Sequence, residues 1–172
     1  MTPIVRNRAI GLALAAAIFL VDQWLKFWIT WDLDLRRLGV IDLLPIFDLR
    51  WTENRGVSLG LLTADSMEMR WALVVLTALI AAMVFIWMLR EQLLGDIIAL
   101  AMVLGGALGN IRDRMNHGFV IDYADLHFGE FRPFLIFNLA DAAITIGVLI
   151  ILARSFLSRE KRPSAPDTAP EN

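Results

Sequence analysis

The chain has 172 residues, 58% of them hydrophobic and only 20% charged, with a mean hydropathy of +0.61. That balance belongs to a membrane protein rather than a soluble domain, and a formal net charge of -2 offers no basic surface for nucleic acid. The absence of cysteine excludes disulfides, thiolate zinc sites, a thiol nucleophile and a lipidated cysteine in the chain itself, and His117 and His127 are too few for a histidine-rich metal centre.

In chain order, the first apolar segment covers about residues 9–30 and leaves through Trp24, Phe27, Trp28 and Trp31. Its length, and the lack of a small-residue cleavage site before polar sequence, make it a retained span rather than a signal peptide. In the loop that follows, Phe47, Leu49 and Trp51 alternate with Asp48, Arg50 and Thr52, the period of a half-buried strand. Asp65 and Ser66 before "MEMRWAL" read as a helix start. The second and third spans cover residues 71–89 and 93–111. Only Arg90, Glu91 and Gln92 separate them, which predicts a tight antiparallel hairpin. A weaker strand candidate lies at residues 120–123, and the fourth span at 134–153. From Ser158 the chain is charged and proline-rich, so a disordered cytoplasmic tail is expected over 158–172. The fold expected is a single membrane domain over residues 1–157. It is an all-α bundle of four transmembrane helices with a small extracytoplasmic β-sheet and loop region.

Four spans put the end of the first, the start of the second, the end of the third and the start of the fourth on one side of the membrane. Asp22, Lys26, Asn54, Asn110, Arg112, Asp113, Arg114, Asp122, Asn138 and Asp141 all lie there. The other side holds Arg90, Glu91, Asp96 and the tails. Arg6, Arg8, Arg90, Arg154, Arg159, Lys161 and Arg162 favour cytoplasmic termini under the positive-inside rule, although the long loops also carry Arg36, Arg37, Arg50, Arg55, Arg70 and Arg132. The polar cluster is then expected at the extracytoplasmic end.

Asp22 and Lys26 are four apart, which permits an intrahelical ion pair; Lys26 is also long enough to snorkel towards headgroups. Gly105 and Gly109 have the spacing for close helix packing, expected within the bundle. "NIRDRMNHG" reads as a solvated loop just past the third span, with Asp113 paired to Arg112 or Arg114. Asn110, still in the apolar end, needs a partner such as Asn138. Asp141 lies about seven residues into the expected fourth span, roughly 10 Å along it, where a charge facing lipid is costly. Its partner is either Arg112 or Arg114, in a structural pair, or a second carboxylate. Asp122 is the candidate for the second case, because two adjoining carboxyls share one proton and act as base and acid. Spacing alone leaves these open. A proton-coupled carrier and a non-catalytic scaffold are further alternatives, but the cluster sits at one end and no internal repeat is visible, unlike many carriers.

Four motifs in order, "DQWLK" at Asp22, "TENRGVSLG" at Thr52, "GGALGNIRDRMNHGFVIDY" at Gly105 and "FNLADAAITIG" at Phe137, together resemble the lipoprotein signal peptidase family, signal peptidase II. The resemblance covers most of the chain between Asp22 and Gly147. It implies an aspartic endopeptidase of the bacterial cytoplasmic (inner) membrane, free of metal and cofactor. Such an enzyme cuts diacylglyceryl-modified prolipoproteins just before the lipidated cysteine and is inhibited by globomycin. By the same resemblance Asp122 and Asp141 are the catalytic dyad, and Asn54, Gly56, Asn110, Arg114 and Asn138 support the site or contact ligand. Asp22 and Lys26 are structural, and the working unit is a monomer. Arg112, Leu59 and Ala142 depart from the residues usual in the family, and none of them replaces an aspartate.

Overall fold

The structure, a computed structural model, describes residues 2–57, 62–63 and 67–160, with side chains placed for all of these except 57, 62, 63 and 158–160. Four helices are long and apolar enough to cross a membrane. The first, α1 (Pro3–Phe27), starts where the Thr2 side chain accepts the Val5 N–H and Pro3 fills the first turn. It runs on through a π-helical turn, Trp28–Asp32. There the Thr30 hydroxyl donates to the Lys26 carbonyl at 2.6 Å, competing with the backbone ladder. A short α2 (Leu35–Leu38) leads into β1 (Val40–Leu44), β2 (Phe47–Asn54) and the small pair β3 (Gly56–Val57) and β4 (Leu62–Thr63). The expected helix start at Asp65 and Ser66 lies outside the described residues.

The hairpin predicted from Arg90, Glu91 and Gln92 is present: α3 (Met67–Arg90) and α4 (Leu94–His117) flank a turn in which the Glu91 carboxylate accepts the N–H groups of Gln92 and Leu93. The chain continues into β5 (Val120–Leu126) and α5 (Leu139–Glu160). β1, β2 and β5 form an antiparallel sheet in that order, with Thr52 opposite Asp122. Ile29, Leu35, Leu49, Ile121, Tyr123 and Ala124 pack as its core. Among the four long helices α4 is central, packed against α1, α3 and α5. Gly105 and Gly106 permit this: a Cβ on Gly105 would stand 2.6 Å from the Ala15 carbonyl oxygen, and one on Gly106 would meet that of Ala140. A Cβ on Gly109 would stand 2.5 Å from the Asp22 carboxylate of α1, so both members of the Gly105–Gly109 spacing serve packing inside the bundle.

Several boundaries differ from the expectation. The helix of the first span begins at Pro3 and, through the π turn, ends at Asp32, so it contains the expected 9–30 and extends it at both ends. The third span does not end at 111, because α4 continues through "IRDRMNH" to a left-handed Gly118, whose N–H returns to the Arg114 carbonyl. Arg70 of α3 caps that end, donating to the carbonyls of Arg114 (2.7 Å) and Met115. The fourth span does not begin at 134. Phe137 is extended instead, exchanging backbone hydrogen bonds with Ala124 of β5, so the helix starts at Leu139. At its other end α5 reaches Glu160, past the expected tail start at Ser158. The remainder of that expected tail, 161–172, lies outside the described residues. The strand alternation is also imperfect: Asp48 is buried, 3.0 Å from Nε2 of His127.

Candidate active site

The bundle's polar end is built on a buried cation. Lys26 is 2% exposed and lies 2.9 Å from Asp22 and 2.7 Å from Asp113, both also buried. It therefore does not snorkel. Asp113 pairs neither with Arg112 nor with Arg114, because the extra turns of α4 turn it inward against α1. Gln23 closes the group, its Nε2 donating to Asp22 (3.0 Å), Asp113 (3.1 Å) and the Gly109 carbonyl (3.2 Å). Lys26 also donates to Oδ1 of Asn110 on α4 at 3.2 Å, and the Asn110 amide in turn donates to Asp141 of α5.

The start of α5 is a set of satisfied donors. Asn138 is its cap: Oδ1 accepts the Asp141 N–H at 2.9 Å, while Oδ2 of Asp141 accepts the Asn138 N–H at 3.2 Å, a reciprocal capping box. The Leu139 N–H donates to the Tyr123 hydroxyl oxygen (3.2 Å) and the Ala140 N–H to Oδ1 of Asp22 (3.1 Å). Asp141 is thus in the first helical turn, not seven residues in. Its other oxygen accepts Nδ2 of Asn110 at 2.8 Å. N–H donors and the positive end of the helix dipole both favour a carboxylate there.

Asp122 arrives from the sheet, 1% exposed. Asn138 Nδ2 donates to its Oδ1 at 2.6 Å and Asn54 Nδ2 to its Oδ2 at 3.0 Å, while the Gly56 N–H donates to Oδ1 of Asn54. Burial, and then the neighbouring Asp141 charge, push the Asp122 carboxyl up to about 7 against the opposing pull of those amides. Burial likewise raises the Tyr123 phenol, so its oxygen stays a hydroxyl. Asn138 holds both aspartates, and its Nδ2 is also 3.3 Å from Oδ1 of Asn110, the partnership its sequence position suggested. Half-buried Arg114 lies within the field of Asp141, Asp122 and Asp113, and its Nε has no hydrogen-bond partner among the described residues. Beside Asp141 an apolar cavity of about 230 Å³ is lined by Phe134, Leu135, Phe137, Ala142, Thr145 and Ile146. Two carboxyl groups joined by one amide, one of them with its proton affinity raised by burial, and flanked by an apolar recess, form a site equipped for acid–base chemistry.

The sequence model of the family described as Signal peptidase (SPase) II matches residues 14–157. The chain belongs to the signal peptidase II family. A lipoprotein signal peptidase of Sphingopyxis alaskensis is 53% identical over 155 residues, 90% of each chain. One of Rhizorhabdus wittichii is 51% identical over 159 residues, 92% of each, and one of Beijerinckia indica is 37% identical over 161, 94% of this chain and 96% of the relative. A bacterial membrane enzyme solved by the in meso method superposes with a TM-score of 0.73 at 25% identity, over 86% of this chain and 92% of its own. A second such structure, at 24% identity and a TM-score of 0.71, shares the fold.

As a signal peptidase II member the chain is a bacterial membrane protein of the protease class. The motif residues Asp22, Lys26, Asn54, Gly56, Asn110, Asp122, Asn138 and Asp141 are brought into one hydrogen-bonded assembly, with Arg114 beside it. Sequence reasoning missed Gln23, Tyr123 and the inward role of Asp113. Tyr123 carried a signal, as the only tyrosine of the chain and the neighbour of Asp122. Asp113, three residues after Asn110, shares its helical face. Gln23 carried none beyond adjacency to Asp22. A further buried carboxylate, Asp125, is held by Arg50 at 2.9 Å and Arg132 at 3.1 Å, which ties the loop after β5 to the sheet.

Proposed function

We propose that the chain is an aspartic endopeptidase that removes signal peptides from diacylglyceryl-modified prolipoproteins, cutting on the N-terminal side of the lipidated cysteine. Asp122 and Asp141 are its catalytic pair. The observation that carries this reading is Asn138, which hydrogen-bonds both carboxyl groups at the first turn of α5. The relatives' names support the substrate class.

Asp141, at a helix N-terminus and accepting from Asn110, is the charged member. Asp122, with its raised proton affinity, is the neutral one. Asp141 takes a proton from a water held between the two as the water oxygen attacks the carbonyl carbon preceding the lipidated cysteine. The Asp122 proton hydrogen-bonds and then passes to the carbonyl oxygen, giving a neutral tetrahedral gem-diol. Collapse breaks the C–N bond: the proton on Asp141 goes to the leaving amine, and Asp122 regains one from the diol. Asn110, Asn138 and Asn54 orient the carboxyls, with Gly56 holding Asn54, and Arg114 steadies their charge. The recess of about 230 Å³ accepts apolar substrate beside the scissile bond. In this reading both termini are cytoplasmic, the site lies near the extracytoplasmic face, globomycin-type inhibitors compete there and the enzyme works as a monomer.

The test is cleavage of a diacylated prolipoprotein by the purified chain. Asp122→Asn and Asp141→Asn should each abolish turnover while binding survives, and the double variant should be hardly worse, because the pair acts as a unit. Chelators should change nothing. Near-normal cleavage by either single variant, or loss on chelation, overturns the mechanism.

A further inference from the structure

Three cavities that contain neither aspartate run end to end along α1. One of about 540 Å³ lies in the apolar stretch between α1, α3 and α4, walled by Leu12, Ala16, Ala78, Ala82 and Phe85. It shares Phe19, Leu108 and Ile111 with a second of about 320 Å³. That one shares Arg112 and Asn116 with a third of about 540 Å³. The third is the most polar of the three, with Lys26, Thr30, Arg36, Asp113 and His117 set among Phe27, Trp31, Trp51 and Phe119. A track results that is apolar between α1, α3 and α4 and gains polar lining at the level of the exposed tryptophans Trp24, Trp28 and Trp31, which mark the interface.

Charge distinguishes the neck of this track. Lys26 is neutralised by Asp22 and Asp113, and Arg36 by Glu53. Arg112 donates to the Gln23 side-chain oxygen and, among the described residues, has no carboxylate within ion-pair distance. An uncompensated guanidinium therefore stands where an apolar groove opens into a polar chamber. A diacylglycerol placed there would leave it unpaired, and an apolar peptide helix would fill the groove but bring no anion to its neck. A phosphate with an attached acyl chain satisfies both. We propose that this track binds an anionic membrane glycerophospholipid, with its phosphate on Arg112, its head group in the polar chamber and one acyl chain between α1 and α3.

The test titrates the purified full chain in detergent with phosphatidylglycerol, phosphatidylcholine or diacylglycerol of identical acyl chains. Retained lipid is read by native mass spectrometry and binding by thermal shift. The wild type should prefer phosphatidylglycerol. Arg112→Gln should weaken that binding about fivefold, one cation's share at a membrane surface, and Arg112→Lys should restore most of it. Ala82→Phe should abolish it by filling the groove; the exposed Arg112 variants keep the test valid if that variant fails to insert. Equal binding of phosphatidylcholine overturns the anionic preference. Equal binding of diacylglycerol assigns the groove to a prolipoprotein's own lipid and overturns the proposal. Retention indifferent to both positions leaves annular lipid only, and overturns it too.

Discussion

Replacing Asp122 by asparagine should remove catalysis and also remove a pH-dependent loss of stability, and the second effect can be worked from the structure. The carboxyl is pushed from its ordinary 3.8 up to about 7 in the folded chain. Between those values the folded protein keeps a proton that the unfolded chain has released. Stability from this group is therefore fully present below 3.8, falls by about 1.4 kcal/mol per pH unit, and is lost once the pH passes about 7. From about pH 5 to about pH 8 that amounts to roughly 3 kcal/mol, or about 6–12 °C in Tm for a chain of this size. Asparagine cannot titrate. It does point an amide at the donors of Asn54 and Asn138, but that cost of about 1 kcal/mol does not vary with pH. The assay is thermal unfolding in detergent, followed by tryptophan fluorescence across this range for wild type and Asp122→Asn. The variant should gain on the wild type by roughly 3 kcal/mol between the two ends. Asp141→Asn removes the second cause of the Asp122 shift but not its burial, so it should make the wild-type slope shallower without abolishing it. Parallel stability curves for wild type and Asp122→Asn, within about 1 kcal/mol, would refute a proton kept on the buried Asp122 carboxyl.

Other outcomes follow from the same geometry. Asn110→Ala and Asn138→Ala should each lower cleavage while membrane insertion, read by alkaline extraction, stays intact, since interhelical hydrogen bonds of this kind contribute about 0.6–2 kcal/mol; full activity in both would make them bystanders. Lys26→Met leaves Asp22 and Asp113 buried without their counter-charge, and should cost about 3–5 kcal/mol. A Tm within about 2 °C of wild type would count against the triad. A reporter fused after Asn172 should be active only if it works in the cytosol, and one inserted near Asp65 only if it works outside. Reversed signals would put the site on the wrong face.

The four spans were legible because long apolar runs decide membrane crossing on their own. Their ends were not, because hydropathy does not register who satisfies a polar group. "IRDRMNH" looks like a solvated loop until Asp113 is seen against Lys26 and Arg112 against Gln23; those partners are on α1, some ninety positions away. "PFLIF" looks like helix until Phe137 takes a strand partner in Ala124. The strands were readable as segments, but not the register that sets Thr52 opposite Asp122 and delivers that carboxyl to α5. The two aspartates stood out through their motifs. Gln23 and Tyr123 did not, since their importance lies in what they cap.

The boundary of α5 changes what Asp141 means. Seven residues into a span, a carboxylate is an expense that calls for a charged partner. In the first turn it is one of the residues that start the helix. It closes the Asn138 cap, takes an amide from α4, and stands where free N–H groups and the helix dipole attract negative charge. The remaining N–H groups of that turn are met by Asp22 of α1 and Tyr123 of β5. Three other elements must therefore be correctly docked before α5 begins where it does. The same hydrogen bonds that begin the helix also fix the orientation of the Asp141 carboxyl. Positioning of that group and assembly of the bundle are one structural event, so a variant that loosens the cap should blunt cleavage before it unfolds the chain.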